Sequence, residues 1–334
     1  MKCVQVTAPG QLTHTDAADP TAPDPTHAIV KIDTVGICGT DVKILGGAIG
    51  VSYPRIMGHE MVGVVEVAAE TGPPSGRRVL IDPAIVCGTC AMCRKGRGNI
   101  CLKGGLLGRD ADGVFAEYAA APSHRLLEVP DSVSGAAAGL LQVLGTCVHA
   151  QRGARVAVGD VAVVLGLGVS GLLFTQLLSA AGAKVVGVTR SEWKRDLARR
   201  LGAAAVAAPG DADSLVREMT GGRGADLVVE AVGTEATLAQ AIELAGTGGE
   251  VIVFGTLTGG GRGLPYYQLY FKELILRNPR AATIDDYARG IELAASGVLD
   301  LEAIVTDHFG LSEAPGAFER VKSSDSLKVL MSVA

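Results

Sequence analysis

The sequence lacks a strong excess of charge of either sign, and it lacks a long uninterrupted hydrophobic run. Its 334 residues include 30 Lys and Arg against 35 Asp and Glu, for a formal net charge of -5. Without an extended basic segment, the sequence gives no indication of a positively charged surface that would bind nucleic acid or an anionic membrane. The apolar runs are broken well before the roughly 20 residues that a membrane helix needs. The N-terminus shows no signal pattern, so we expect a cytoplasmic protein that binds small molecules and copies of itself.

Aromatic residues and cysteines are also scarce. Aromatic residues make up 4% of the chain, which indicates an aliphatic core, and the apolar fraction of 48% is sufficient for the two domains that the length favours. Seven cysteines are few for a disulfide framework in a chain of this length. Four of them lie between positions 87 and 101, and in a reducing compartment such crowding favours a metal over cystines.

Hydrophobic periodicity changes once along the chain. From Met1 to about Val129 the pattern predicts short strands interrupted by Pro and Gly, as in a β-rich domain. From about Gly145 to Ala281 apolar strands alternate with amphipathic helices, which predicts βαβ units and a parallel sheet. The remainder shows a helix around 285–296 and a final strand over 327–333, and by pattern alone it could close either domain.

Individual strands and helices follow from these patterns. The strands predicted in the first part are 28–34, 61–67, 78–81 and 116–120. In the second part the predicted strands are 161–165, 184–188, 226–231 and 250–255, and the predicted helices are 170–181, 193–201 and 238–245.

The four clustered cysteines form the most specific motif. Cys87, Cys90, Cys93 and Cys101 are separated by two, two and seven residues. Four thiolates suit a closed tetrahedral zinc site that organises a loop with too few apolar residues to fold alone. An iron-sulfur cluster, two disulfides or a redox dithiol are the alternatives. Because no coordination position stays open, we expect a structural site.

A second candidate metal site combines two short motifs. Cys38 lies in Val35-Gly-Ile-Cys-Gly-Thr-Asp41, and His59 and Glu60 precede the apolar run 61–67. Each motif alone is weak, because a single cysteine in an apolar run is more often a core residue. Together they offer a thiolate, an imidazole and a carboxylate, the ligand mix of a zinc site with a place left for substrate.

A dinucleotide motif opens the second part. The strand 161–165 is followed by Gly166-Leu-Gly168-Val169-Ser170-Gly171 and then by a helix. Such glycines allow a tight turn and bring pyrophosphate close to a helix N-terminus, and the placement inside a βαβ unit makes the motif specific.

The next strand ends without the acidic residue that would bind a ribose 2′-hydroxyl in an NAD enzyme. Its tip carries Thr189, Arg190 and Ser191, with Lys194 and Arg195 one turn further on. A cation and hydroxyl donors suit a 2′-phosphate, so NADP is the expected cofactor. The alternative is a solvated basic helix, with NAD tolerated.

With these motifs in one fixed order, the sequence resembles the zinc-containing medium-chain alcohol dehydrogenase family, in its polyol, threonine and glucose dehydrogenase branch. The resemblance implies a GroES-like β-rich catalytic domain over residues 1–144, with a structural-zinc lobe at 86–104. It also implies a doubly wound Rossmann domain over 145–282 and a return to the catalytic domain over 283–334. About two zinc ions per chain and a homodimer or homotetramer are implied as well.

The resemblance also implies roles for residues at the second metal site. Cys38 and His59 match the family's zinc ligands, Glu60 lies against the metal and is sometimes a ligand, and Asp41 would orient the His59 ring. The family's fourth ligand, a Cys, Asp or Glu, falls on Gln142, seven residues before His149.

A neutral amide is a poorer zinc ligand than a carboxylate or a thiolate. Gln142 could therefore bind weakly, leave the role to Glu60 or water, or simply pack in its helix, and family glucose dehydrogenases are similar in carrying Gln there. A less anionic site should make the metal a stronger Lewis acid.

Other positions receive roles only from the resemblance. Thr40 matches the first group of the family's proton relay. Lys43 stands where many relatives have His, and it would end the relay, hold a cofactor oxygen or lie on the surface. Val232 and Gly255 fall on strand ends that border the nicotinamide.

The expected activity is oxidation of a secondary alcohol of the polyol, sugar or aminocyclitol type to a ketone by hydride transfer to NADP or NAD. An NADPH-dependent ketone or aldehyde reductase is the first alternative, since the chemistry is reversible. A non-enzymatic nucleotide-binding relative is the second, although Cys38, Thr40, Asp41, His59 and Glu60 are all present. The same residues disfavour a zinc-free quinone or enoyl reductase.

Overall fold

The computed structural model describes residues 1–257 and 263–333. The strands are β1 Lys2–Ala8, β2 Gln11–Asp16, β3 His27–Gly36, β4 Arg55–Ile56, β5 Glu60–Val67, β6 Arg78–Ile81, β7 Ala84–Ile85, β8 Gly105–Leu106, β9 Tyr118–Pro122, β10 Leu126–Glu128, β11 Val161–Leu165, β12 Lys184–Val188, β13 Ala205–Ala207, β14 Ala225–Glu230, β15 Ala245–Val253, β16 Ile275–Arg277, β17 Val305–Gly310 and β18 Lys328–Ser332.

Helices connect these strands. They are α1 Gly39–Leu45, α2 Ala91–Arg94, α3 Gly135–Ala138, α4 Leu141–Arg152, α5 Val169–Ala180, α6 Glu192–Arg200, α7 Ala212–Thr220, α8 Glu235–Leu244, α9 Tyr266–Phe271, α10 Ile284–Ala295 and α11 Ala314–Val321. Short 3-10 helices lie at Gly98–Ile100, Ser123–Arg125, Glu302–Ile304 and Leu311–Glu313. Among the described residues, no helix is long and apolar enough to cross a bilayer.

The chain divides into two units. Unit 1 contains Met1–Thr146, Ala281–Gly297 and Leu301–Ala334, of which Ala334 lies outside the described residues. Unit 2 contains Cys147–Arg280 and Val298–Asp300.

Unit 1 is built on a mixed sheet. Its strands run in the order β10-β6-β5-β3-β18-β17, and β9 also pairs with β3. Smaller sheets are formed by β2-β1-β4 and by β7-β8. Alternate side chains of β3 are buried, as expected of a strand with one face against an aliphatic core. The antiparallel pairing of β3 with β5 sets Gly36 opposite Glu60. Cys38 and His59, which follow and precede these paired residues, are therefore brought to the same end of the sheet.

Unit 2 contains a six-stranded sheet in the order β13-β12-β11-β14-β15-β16. All of its strand pairs are parallel. Strand β11 is buried along its whole length, which explains its continuous apolar sequence. The strand order reverses between β11 and β14, and in such sheets ligands bind at the carboxyl ends of the strands at this point. The prediction of a β-rich domain and a doubly wound parallel sheet is confirmed.

Candidate metal centres and cofactor site

Three potential metal ligands converge at the end of the mixed sheet in unit 1. One ligand atom from each of Cys38, His59 and Glu60 lies within 4.8 Å of the others. His59 and Glu60 are buried, and Cys38 is half-buried at the start of α1. A thiolate, an imidazole and a carboxylate at this separation are a donor set that fits zinc, provided that a further position is free for substrate.

Asp41 connects the helix to the histidine. One of its carboxylate oxygens accepts a hydrogen bond of 2.8 Å from the Cys38 amide, which caps the first turn of α1. The other oxygen, Oδ1, lies 3.5 Å from His59 Nδ1. Both atoms are buried, and neither has a hydrogen-bond partner among the described residues. A small ring rotation would join them. Asp41 would thereby hold the proton on Nδ1 and leave Nε2 as the metal-binding nitrogen.

The charges at this site favour the ligand form of the thiol. Burial is the largest single influence and disfavours ionisation of Cys38, but the charge of His59, its hydrogen bond to the thiol and the charge of Lys328 together lower the pKa of the thiol to about 7. Burial likewise opposes protonation of His59, whereas Asp41 and then Cys38 raise its pKa. Cys38 is therefore disposed to be a thiolate, which is the form that binds metals.

Lys328 was not expected at this site, and it pairs with Glu60. The Lys328 ammonium forms an ion pair with Glu60 Oε2 and donates a further hydrogen bond of 3.3 Å to the Ile37 carbonyl. Both side chains are buried, with relative exposures of 3% and 2%. A Cβ at Gly36 would lie 2.5 Å from Lys328 Cε, so the absence of a side chain there makes room for the pair. One carboxylate oxygen of Glu60 is thus occupied by a cation.

Gln142 is buried in the first turn of α4, where it faces another residue that sequence reasoning missed. Its Nε2 donates a hydrogen bond of 3.2 Å to the hydroxyl oxygen of Tyr287 on α10. Neither Lys328 nor Tyr287 carried a sequence signal, because each lies far along the chain from its partner and has no local motif.

The remaining two candidates of this site lie on α1. Thr40 is half-buried in its first turn, whereas Lys43 is exposed.

The four-cysteine lobe brings its sulfurs into a compact group. The ligand atoms of Cys87, Cys90, Cys93 and Cys101 all lie within 4.8 Å of one another. Four of the sulfur-sulfur distances are 3.4, 3.5, 3.8 and 4.0 Å. A regular tetrahedron with zinc-sulfur bonds of about 2.3 Å has edges of about 3.8 Å. No disulfide is formed, and the arrangement fits a closed zinc site.

Backbone amides support these thiolates. The amides of Cys87, Cys90 and Leu102 donate to the sulfurs of Cys101, Cys87 and Cys90, respectively. Such bonds stabilise negative charge on sulfur without adding a ligand.

The glycine motif of unit 2 forms the turn between β11 and α5. Gly166 has a φ of 92°, and a Cβ at Gly171 would lie 1.8 Å from the Gly166 carbonyl oxygen. Only glycine allows this approach of turn and helix. Gly168 is the N-cap of α5, and Val169 and Ser170 form its first turn, where backbone amides have no acceptor within the helix and could bind a phosphate.

The tip of β12 carries the residues expected to select the cofactor. Arg190 is exposed, and Thr189 and Ser191 are half-buried. Arg195 donates hydrogen bonds to the Thr189 and Arg190 carbonyls at 2.8 and 3.1 Å, so it braces the tip. Lys194 stacks on the Trp193 ring, 5.1 Å from its centroid. We find no acidic residue among positions 189–191.

The turn after β14 is held by a buried glutamate. Glu230 Oε1 accepts hydrogen bonds of 2.9 Å from the amides of both Val232 and Gly233. A Cβ at Gly255 would lie 2.2 Å from the Gly233 amide nitrogen, so that these two strand ends are in close contact. Val232 remains about half exposed and available to a ligand.

Two family models match the chain. The alcohol dehydrogenase GroES-like domain matches residues 24–131, and the zinc-binding dehydrogenase domain matches residues 170–296. The first match includes the Cys38 and His59 region and the cysteine lobe, and the second begins within the glycine motif.

Individual relatives are similar over nearly the whole chain. The "Probable D-xylulose reductase A" of Aspergillus clavatus is 32% identical, with 96% of this chain and 93% of the relative covered. The L-galactonate-5-dehydrogenase of Escherichia coli K12 is 32% identical, with 89% and 88% covered. A zinc-binding dehydrogenase of Sinorhizobium meliloti, solved bound to NADP, is 30% identical with a TM-score of 0.92, and 99% of each chain is covered.

Proposed function

The chain belongs to the zinc-containing medium-chain alcohol dehydrogenase family, whose members transfer hydride between a CH–OH group and NAD(P), and on this premise we propose that it acts on a polyhydroxylated secondary alcohol. The substrate would be a polyol, a sugar or an aminocyclitol, and the product the corresponding ketone. The convergence of Cys38, His59 and Glu60 within 4.8 Å, with Asp41 behind the histidine, carries the proposal. The names of the xylulose and galactonate relatives support the substrate class.

We assign the roles at the catalytic site to residues of unit 1. Cys38 and His59 hold the metal, Gln142 supplies the further protein donor, and Glu60 stays paired with Lys328 beside it. When bound, zinc lowers the pKa of the substrate hydroxyl and NADP accepts the hydride. Thr40 receives the proton that leaves the hydroxyl, and Asp41 holds the His59 ring in place. Run in reverse, the same groups reduce a ketone.

We assign the cofactor to unit 2. The turn Gly166–Gly171 would hold the pyrophosphate, and the β12 tip would hold the adenosine ribose. Val232 and Gly255 would border the nicotinamide. Unit 1 is then the catalytic domain, and Cys87, Cys90, Cys93 and Cys101 hold a structural zinc ion within it.

A substrate panel with metal analysis tests the proposed function. Polyols, sugars and aminocyclitols, with simple secondary alcohols for comparison, are incubated with NADP, and formation of NADPH is followed by its absorbance. We expect oxidation of the polyhydroxylated compounds and about two zinc ions per chain. A single zinc ion, held by the cysteine lobe, together with no turnover would support a non-enzymatic relative and contradict the proposal.

Cofactor preference can be tested at Arg190. We expect NADP to be preferred to NAD, and Arg190→Ala to lower kcat/KM for NADP about 10- to 100-fold, because a charge-assisted hydrogen bond contributes about 1.5–3 kcal/mol. The value for NAD should change little. Arg200→Ala, which removes an exposed arginine at the other end of α6, is the matched control. A wild-type preference for NAD would contradict the assignment of the β12 tip.

We further propose that the chain forms a homodimer or homotetramer through unit 2. Tyr266, Tyr267, Tyr270 and Phe271 of α9 are all more than 60% exposed. A cluster of exposed aromatic rings is unusual on a surface that stays in water. Sedimentation equilibrium should give a multiple of the chain mass of 34.1 kDa, and Tyr270→Asp should shift it toward the monomer. A monomeric wild-type protein would contradict this proposal.

A further inference from the structure

Two helices of unit 1 approach each other closely beside Gln142. A Cβ at Gly145 on α4 would lie 2.2 Å from Cδ1 and 2.6 Å from Cε1 of Tyr287 on α10, so this edge of the ring packs directly against the glycine. One turn along α10, the Cβ position of Gly290 lies 3.6 Å from the Gly145 Cα. Since Gln142 and Gly145 are three residues apart on one helix face, the ring that packs on Gly145 presents its hydroxyl to Gln142.

From this contact we propose that Tyr287 is a positioning residue that sets the orientation of the Gln142 side-chain amide and thereby the affinity of the catalytic site for its metal. The inference rests on the proposed function, in which Gln142 contributes a ligand. Tyr287 itself does not touch the metal or the substrate in this proposal.

The chemistry of the amide explains why orientation matters. A carboxylate presents an oxygen whichever way it is turned, but an amide has one oxygen that can bind zinc and one nitrogen that cannot. The two orientations have nearly the same shape, so packing alone does not choose between them. The Tyr287 hydroxyl accepts a hydrogen bond from Gln142 Nε2 at 3.2 Å, and this arrangement leaves Oε1 for the metal. A phenol can also donate to an amide oxygen, but that reversed amide would turn its nitrogen toward the metal, so only the observed orientation satisfies both partners.

The surroundings of Tyr287 suit this role. Its side chain is fully buried, so no water competes for the contact with Gln142. The hydroxyl oxygen can accept the amide proton. Its position is set by the start of α10, where Asp286 accepts hydrogen bonds from both the amide and the hydroxyl of Thr283.

A comparison of two backgrounds tests the proposal. The zinc affinity of the catalytic site is measured by chelator competition for the wild type, Tyr287→Phe, Gln142→Glu and the double variant. The zinc ion of the cysteine lobe serves as the internal reference in each protein. Tyr287→Phe should raise the dissociation constant of the catalytic zinc about 10- to 100-fold, the usual effect of losing a partner that orients a ligand. In the Gln142→Glu background the same change should alter the dissociation constant of the catalytic zinc by less than about twofold.

The control is Tyr118→Phe, which removes a hydroxyl from a half-buried tyrosine on β9. It should leave the dissociation constants of both zinc sites unchanged. Thermal unfolding of each variant reports on packing separately. An unchanged or lower dissociation constant in Tyr287→Phe overturns the proposal, and a lower value would mean that the phenol had competed for Oε1. Equal losses in both backgrounds also overturn it, since they would show a packing effect. A wild-type protein with one zinc ion per chain would overturn the proposed function together with this inference.

Discussion

Replacing His59 with alanine should remove the catalytic zinc ion and lower kcat/KM by about 10³- to 10⁴-fold. His59 supplies one of the potential ligands that converge within 4.8 Å, and its loss removes the imidazole that faces one carboxylate oxygen of the fully buried Asp41. Lewis-acid activation of a hydroxyl lowers the activation barrier by several kcal/mol, and each 1.36 kcal/mol corresponds to a factor of about ten in rate. Zinc analysis and steady-state kinetics with the best alcohol of the panel measure both effects.

The control for this experiment is His14→Ala, which changes an exposed histidine on β2. It should keep two zinc ions per chain and the wild-type rate. The His59→Ala protein should keep the zinc of the cysteine lobe, because that lobe has its own four ligands. If His59→Ala retained both zinc ions and most of its activity, the assignment of the catalytic ligands would be wrong.

Replacing Lys328 with methionine should lower the free energy of unfolding by about 3–5 kcal/mol, because it leaves the carboxylate of Glu60 buried without its cation. The methylene stem of Lys328 is retained by methionine, so that loss of packing is small. The pair lies inside the protein, with both side chains almost inaccessible to water. Urea denaturation followed by far-ultraviolet circular dichroism, with zinc present in the buffer, gives the free energy for each variant.

The double variant Glu60→Gln, Lys328→Met separates the ion pair from the volume change. It removes both charges at nearly constant size, and it should recover at least half of the lost stability. Lys328→Arg keeps the charge and is the conservative control. A loss below about 1 kcal/mol in Lys328→Met would show that Glu60 is protonated or has found another partner.

The parts of the site that sequence predicted are local in the chain. The four cysteines lie within fifteen positions, and the glycine motif spans six, so short-range chemistry is sufficient to recognise them. Strands β11 and β12 occupy the predicted residues 161–165 and 184–188, because buried parallel strands are continuous apolar runs.

Other strand limits depended on pairing. Residues 116–120 were predicted as a strand, whereas β9 is Tyr118–Pro122 and Ala116 forms only an isolated bridge with Cys3. The predicted helix 238–245 ends at Leu244. The strand predicted at 250–255 begins earlier in the structure, because β15 starts at Ala245, which pairs with Ala225. Alternation of apolar residues identifies a strand, but its ends are set by the partner strand.

What the sequence by itself determined is the family chemistry, through the cysteine lobe, the dinucleotide turn and the candidate metal-site residues Cys38, His59 and Glu60. Only the tertiary structure decided which buried groups surround them. Glu60 meets Lys328 across 268 residues of chain, and Gln142 meets Tyr287 across 145. No motif spacing or hydrophobic period in the sequence predicts either contact, because each is made by packing between elements that are distant along the chain. A buried charge or amide nevertheless requires a partner, and the fold supplies it.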